Sequence, residues 1–342
     1  MITFENDYSC GAHPAVLRRL LETNLIPQPG YGFDSFSESA RAKLRAACGC
    51  PEAEIHFLSG GTQTNAVVLA SILKPWEGVV APQTGHIHVH EAGAPEAFGC
   101  KILALPEHEG KLDAAELRTL AATLLTDENV EHMVYPGAVY ISHPTEWGTL
   151  YSRAELEAIS AVCREYGMRL YLDGARLAYG LAAKDSDVDL PLIASLCDAF
   201  YVGGTKCGAL CGEAVVFPQG APPHFLNFIK QHGAMLAKGR LCGVQFDALF
   251  TDGLYFEIGR RGVETAERLK TLLAKHGIPC CKDTPTDQQF AILENARYLA
   301  LRKQVPVGFW SNPDPDHTVV RFATAWYTTD EYLEELDRVL GA

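Results

Sequence analysis

Six short runs rich in β-branched and aromatic residues do most to limit what this 342-residue chain can fold into. They occupy residues 78–81, 102–105, 138–141, 170–172, 200–202 and 214–217. Helical patterns separate several of them, notably at 113–125 and 152–166. The second of these opens on the capping signature Ser152-Arg153-Ala154-Glu155. Strands that are apolar throughout, rather than alternating, are buried on both faces. Their alternation with helices predicts an α/β domain whose mainly parallel sheet lies between helical layers.

The flanking sequence is different in kind. A helix with Pro14 in its first turn is expected at 13–24, and another at 37–48. Residues 27–34 between them are too rich in Pro and Gly for regular structure. Beyond Pro223 the strand runs pause. Long helices are expected at 226–250, broken near Gly239, and at 255–276. Two strand runs follow at 290–293 and 318–323, with a last helix at 329–340. The chain is long enough for one large and one smaller core. The expected division is an N-terminal arm at 1–15, a large α/β domain at 16–240 and a small C-terminal α+β domain at 241–342.

Charge and cysteine usage narrow the function classes. A net charge of −13 opposes binding to nucleic acid or to an anionic membrane. The first residues carry neither a basic region nor an apolar core, and no apolar run is long enough to span a bilayer. A cytoplasmic protein is expected. The eleven cysteines are scattered, odd in number and without zinc spacing, which points to buried reduced thiols and no metal.

In open α/β sheets ligands sit beyond the carboxyl ends of the strands, and four stretches fall there. Ser59-Gly60-Gly61-Thr62-Gln63-Thr64-Asn65 follows the strand-like Ile55-His56-Phe57-Leu58 and opens a helix. Its adjacent glycines permit positive φ and Ser59 or Thr62 can cap, so its N–H groups could gather a phosphate. It could equally be an ordinary glycine turn. It lacks the Lys-Ser/Thr ending of a P-loop and the spacing of a dinucleotide fingerprint. Asp173, ending the run at 170–172, could hold a cationic ring nitrogen, or cap the next helix and pair with Arg176. Lys206 follows a strand and two glycines, an enclosed position that favours the neutral amine a Schiff base requires; the alternative is a surface lysine. In Thr84-Gly85-His86-Ile87-His88-Val89-His90-Glu91, the alternating histidines would share one face of a strand. No matching metal ligands follow. His86 is the best candidate to work against an aromatic ring, with His88 and His90 in packing roles.

A phosphate loop, a ring-stacking His, a strand-end Asp and a strand-end Lys are together the parts that hold pyridoxal phosphate. At this point the chain resembles the threonine aldolase and β-eliminating lyase family of fold-type-I pyridoxal-phosphate enzymes. The resemblance covers nearly the whole chain. It rests on Asn6-Asp7, Tyr31-Gly32-x-Asp34, the Ser59–Asn65 stretch, His86 with Glu91-Ala92-Gly93, and Thr145-Glu146-x-Gly148-Thr149. It continues through Leu172-Asp173-Gly174-Ala175-Arg176, Gly203-Gly204-Thr205-Lys206, Gly212-Glu213-Ala214 and Val320-Arg321-Phe322.

The resemblance implies a role for each site residue. Lys206 would join the cofactor as a Schiff base, Asp173 would pair with its pyridinium nitrogen, and His86 would stack on its ring. Gly61 and Thr62 would hold the phosphate, helped by Arg240 from a neighbouring subunit. Arg321 and Arg176 would bind the substrate carboxylate, Arg176 lying against the cofactor as well. Tyr31 would reach a partner's site, which implies a homodimer or homotetramer with shared active sites. Threonine aldolases carry Ser where this chain has Asn6, and a His in the segment that here holds Glu146. Glu146 would then be the partner or base of the substrate hydroxyl. The implied reaction cleaves a β-hydroxy-α-amino acid of the L-threonine or L-allo-threonine type to glycine and an aldehyde. β-Elimination and phenylserine-type aldol cleavage are the alternatives on the same scaffold.

Overall fold

The computed structural model describes residues 2–341. Among them the large sheet has seven strands: β1 Glu54–Leu58, β2 Glu77–Pro82, β3 Lys101–Leu105, β4 Tyr135–Ser142, β5 Arg169–Asp173, β6 Ala199–Gly203 and β7 Glu213–Phe217. Their order is β1-β7-β6-β5-β4-β2-β3. Pairing is parallel from β3 through β6, while β7 runs antiparallel to both β6 and β1. The carboxyl ends of β1, β4, β5 and β6 therefore share one edge with the first residue of β7. Leu58, Ser142, Asp173, Gly203 and Glu213 all meet there.

Side-chain alternation divides the sheet into two cores. One face carries Ile141, Leu170, Leu172, Phe200 and Val202 into the larger apolar cluster. The opposite face carries Tyr140, Tyr171 and Tyr201 beside Val67 and Val68 of the helix Gly61–Ile72. Tyr140 and Tyr171 are directly paired in register. A second, antiparallel sheet has the order β8-β10-β9, with β8 Gln288–Glu294, β9 Gly308–Ser311 and β10 His317–Ala323. The short β9 adds a third strand to the two that were expected.

Two expectations are corrected. The histidines do not alternate on a strand. After β2 ends, Gly85 opens the helical turn His86–Val89, which sets His86 and His90 one turn apart with ring centroids 5.6 Å from each other and leaves His88 exposed. The span 226–250 is also not one helix nicked at Gly239. It forms Phe225–Gln231 and Arg240–Leu249, with a non-helical stretch between them in which Gly233 takes φ 68°.

Packing bears on the division into domains. Phe246, Leu249, Tyr255, Ile258 and Val263 belong to the core of the large sheet, whereas Leu269 and Leu273 belong to that of the small one. Phe4 is buried in the small core, donating its N–H to Pro306 and accepting from Ala323 at 2.9 and 2.8 Å. We propose that the boundary lies inside the long helix Leu254–Lys275, later than residue 240. That helix presses on the large domain at Gly259, where a Cβ would stand 2.1 Å from the carbonyl oxygen of Ala178. Gly259→Ala should therefore cost about 1–3 kcal/mol of stability, seen as a lower midpoint in urea.

Candidate active site

Beyond the carboxyl edge of the large sheet lies a cavity of about 280 Å³. Seven of the predicted site residues line it: Gly61, Thr62, His86, Glu146, Asp173, Arg176 and Lys206. Ser142, Tyr8, Tyr201 and Glu213 share the wall.

Asp173 is 4% exposed, and its carboxylate is held from several sides. Tyr140 Oη and Asn65 Nδ2 donate to Oδ2 at 2.7 and 3.1 Å, while Ala175 N donates to Oδ1 at 3.0 Å. Tyr201 Oη donates to Oδ1 as well. Burial works against the charge, but the charge of His86 and the hydrogen bonds from Tyr201, Tyr140 and Asn65 outweigh it. The carboxyl stays below its ordinary range. Asn65 is oriented in turn by Tyr171, whose hydroxyl donates to Asn65 Oδ1 at 2.8 Å, and it donates to Glu91 at 2.7 Å. Glu91 Oε1 also meets His86 Nδ1 at 2.7 Å. One chain of hydrogen bonds thus fixes both the acid beneath the cavity and the ring at its side.

Glu146 is buried and behaves in the opposite sense. His86 N–H and the Ser142 hydroxyl donate to its Oε1 at 2.8 and 2.6 Å, while Oε2 has no partner among the described residues. Burial raises its proton affinity above the ordinary range. For Lys206, burial and then the charge of Arg176 lower the affinity of the amine for a proton. Its carbonyl accepts from Tyr179 Oη at 2.9 Å.

The helix Gly61–Ile72 begins without a side-chain cap among the described residues. Ser59 donates to Gln63 Oε1 at 2.7 Å and Thr62 is exposed, so neither caps as expected. Positive φ is not used either, since Gly60 is extended at φ −175°. What the glycines contribute is room: a Cβ at Gly61 would stand 3.2 Å from Tyr201 Oη, and nothing lies within 4 Å of one at Gly60. The free N–H groups of a long helix open onto the cavity wall at a point suited to an anion.

Four predicted residues do not line the cavity. Asn6 Oδ1 closes its own turn, accepting from Tyr8 N and Ser9 Oγ at 3.0 and 2.9 Å. Tyr31 lies on another face, half exposed, with φ 60°. Arg240 donates to the backbone carbonyls of Ile26 and Thr23 at 2.6 and 2.5 Å. Arg321 donates to Gln288 Oε1 and to the Glu5 carbonyl, both at 3.1 Å, while its Nε is buried without a partner among the described residues. Arg176 is at the wall, but its Nε and one terminal nitrogen form a two-pronged pair with Asp7 at 2.8 and 2.9 Å.

Asn65, Glu91, Tyr140, Tyr201, Ser142 and Asp7 were not assigned from sequence. A tyrosine in each of three successive strand runs was the available signal.

An uncapped helix terminus, a buried ionised Asp and an amine of reduced proton affinity on one cavity fit pyridoxal phosphate, with its phosphate at the helix, its ring nitrogen at Asp173 and its aldehyde at Lys206. The fold and the site define a pyridoxal-phosphate enzyme of fold type I. The model of the β-eliminating lyase family matches residues 14–296, and the chain belongs to the threonine aldolase and β-eliminating lyase family, a family of pyridoxal-phosphate-dependent lyases. It is 30% identical to a low specificity L-threonine aldolase of Pseudomonas aeruginosa, covering 99% of this chain and 98% of that protein. A solved threonine aldolase of Leishmania major is 40% identical, with a TM-score of 0.95 over 100% of this chain and 99% of that one. A pyridoxal-phosphate-bound C–S lyase of Staphylococcus hominis, 13% identical, shares the fold with a TM-score of 0.69 over 99% of this chain and 88% of its own.

Because the folded-state affinity of Asp173 for a proton is depressed, its ionisation stabilises the fold above the unfolded value of about 4. That contribution is lost as pH falls through the lower folded value. Asp173→Asn should therefore flatten the acid limb of a plot of urea midpoint against pH. An acid limb identical to that of the unaltered protein would contradict the assignment.

Proposed function

We propose that this protein is a pyridoxal-phosphate-dependent aldolase that cleaves a β-hydroxy-α-amino acid of the L-threonine or L-allo-threonine type to glycine and an aldehyde. The observation that carries this reading is Glu146. Its Oε2 is a buried acceptor without a partner among the described residues, on the same wall as His86, and its raised proton affinity suits it to take a proton from a hydroxyl.

The remaining residues bind and orient. The N–H groups of Gly61 and Thr62 receive the phosphate, and ionised Asp173 keeps the ring nitrogen protonated. His86, fixed by Glu91, covers the ring. When bound, the cofactor supplies the electron sink for the bond that breaks. Arg321, with its free Nε, binds the substrate carboxylate, and Arg176 adds the donor that Asp7 leaves unused. That clamp sets the Cα–Cβ bond for cleavage. Glu146 Oε2 accepts the β-hydroxyl proton, the Cα–Cβ bond breaks, and the aldehyde leaves. Lys206 would hold the cofactor's aldehyde on the cavity wall, and a proton returned to Cα completes glycine.

A second copy of the chain is part of this proposal. Tyr31 and Arg240 would serve the partner's cavity. In support, Tyr31, Phe33, Leu25 and Ile26, large apolar groups of one stretch of chain, are all exposed, and Arg240 donates to the Ile26 carbonyl of that stretch. A homodimer or homotetramer covers such a patch. A cytoplasmic location is supported by eleven cysteines that are all free thiols. No helix among the described residues is long and apolar enough to cross a membrane.

Incubating the loaded enzyme with L-threonine, L-allo-threonine and phenylserine should release glycine and the matching aldehyde. Ammonia and a keto acid would instead establish β-elimination. Lys206→Ala should abolish turnover, and Glu146→Gln should lower kcat by about 100-fold.

A further inference from the structure

Glu213 has no part in the chemistry just described, yet its place is unusual for a carboxylate. It opens β7, whose residues are all buried, and is itself 3% exposed. Gly203, the last residue of β6, pairs with it in register, and the intervening loop carries Lys206. The side chain turns back over that loop. Oε2 accepts the N–H of Gly204 at 2.9 Å and Oε1 accepts the Thr205 hydroxyl at 2.8 Å. Thr205 Oγ1 accepts Gly212 N–H at 3.1 Å, and Gly204 N–H reaches the Gly212 carbonyl at 3.0 Å. The two residues before Lys206 are therefore sewn to the two that end its loop, through one carboxylate that also lines the cavity. A neutral side chain could close the loop by packing; a buried carboxylate is costly unless its charge has a use.

We propose that Glu213 is a positioning residue for Lys206, closing its loop through Gly204 and Thr205 and placing on the cavity wall a carboxylate that helps hold the proton on the Lys206 amine. The inference rests on Lys206 being the amine that holds the cofactor. The titratable groups that interact with Glu213 through charge are Lys206, Asp173, Tyr171, Tyr201, Tyr255 and Cys242. Lys206 is the cation among them. Burial, against the pull of Thr205, Gly204 and Lys206, pushes the Glu213 carboxyl up to about 7. Its charge thus appears as pH rises through neutrality, and a charged Glu213 joins Asp7 and Asp173 in holding the proton that burial and Arg176 would otherwise drive from Lys206.

Glu213→Gln keeps the volume and removes the charge. In the loaded enzyme, the visible absorbance of the cofactor joined to Lys206 reports the protonation of that nitrogen. Its midpoint should fall by about half a pH unit in Glu213→Gln, with kcat reduced about tenfold and KM little changed. Glu213→Asp, which keeps the charge, should return the midpoint toward that of the unaltered enzyme. An unshifted midpoint in Glu213→Gln would overturn the proposal. If that variant does not fold, Thr205→Val removes the hydroxyl donor and leaves the carboxylate. It should lower kcat several-fold, and an unchanged kcat would overturn the proposal equally. A Lys206→Ala enzyme that remained active would instead sink the function on which this rests, so the two failures are distinguishable.

Discussion

One negative charge held away from water organises this molecule. Asp173 ends a strand buried on both faces, and burial alone would make its carboxyl protonate. It stays ionised because of the charge of His86 and because two tyrosine hydroxyls, the Asn65 amide and the Ala175 N–H are delivered to its two oxygens. Those donors arrive by sheet register. Neighbouring parallel strands each turn a tyrosine to the same face, and the helix Gly61–Ile72 lies over that face with Asn65 facing inward. A slip of one residue in β4 or β6 would send the hydroxyl to the other face and leave the charge unsupported. The helix that positions Asn65 also presents the open N–H groups at its start. The donors to Asp173 and the open N–H groups at the helix start are consequences of a single packing.

Three carboxylates on the same cavity are tuned apart by their donors. Asp173 receives four hydrogen bonds and is held below the ordinary range. Glu146 receives donors at one oxygen only, and burial prevails. Glu213 has one donor at each oxygen and is raised to about 7. The first can serve as a fixed anion, Glu213 exchanges its proton near neutrality, and Glu146 binds a proton more readily than an ordinary carboxylate. Such divergence among carboxylates is how a cavity supports both a permanent counter-charge and proton transfer.

The parallel sheet was legible because strands covered on both faces read as unbroken apolar runs, and Asp173, Lys206 and the glycine stretch were legible as polar or glycine-rich residues where such runs stop. The hydroxyl shell was not. Tyrosine within a strand reads as packing, and only the register of β4, β5 and β6 shows that Tyr140, Tyr171 and Tyr201 converge. The histidines misled for a related reason. Alternation over five residues fits a strand, but β2 has already ended at Pro82, and the chain leaves the sheet through Gly85 into a helical turn. β9 was missed because four residues beginning with glycine carry too little pattern. The loop at Gly60 was found for its open N–H groups although its glycines are used for clearance rather than for positive φ.

Arg176 shows why the small domain belongs to the chemistry. Its guanidinium leaves the large sheet just after β5 and pairs with Asp7 of the N-terminal segment, with Asp287 at the start of β8 3.8 Å away. The segment that carries Asp7 is anchored two ways in the small domain: Phe4 is packed into its core, and the Glu5 carbonyl accepts from Arg321. Burial opposes the charge of the Asp7 carboxylate, and Arg176, then Lys206 and Arg321, outweigh it. Arg176, buried beside Asp7, could not be left unpaired there without a large desolvation cost. Asp7 therefore does more than fasten the arm. Its carboxylate holds the Arg176 guanidinium in two hydrogen bonds and offsets part of the burial cost of Arg321, so both guanidinium groups are placed by the folding of the small domain.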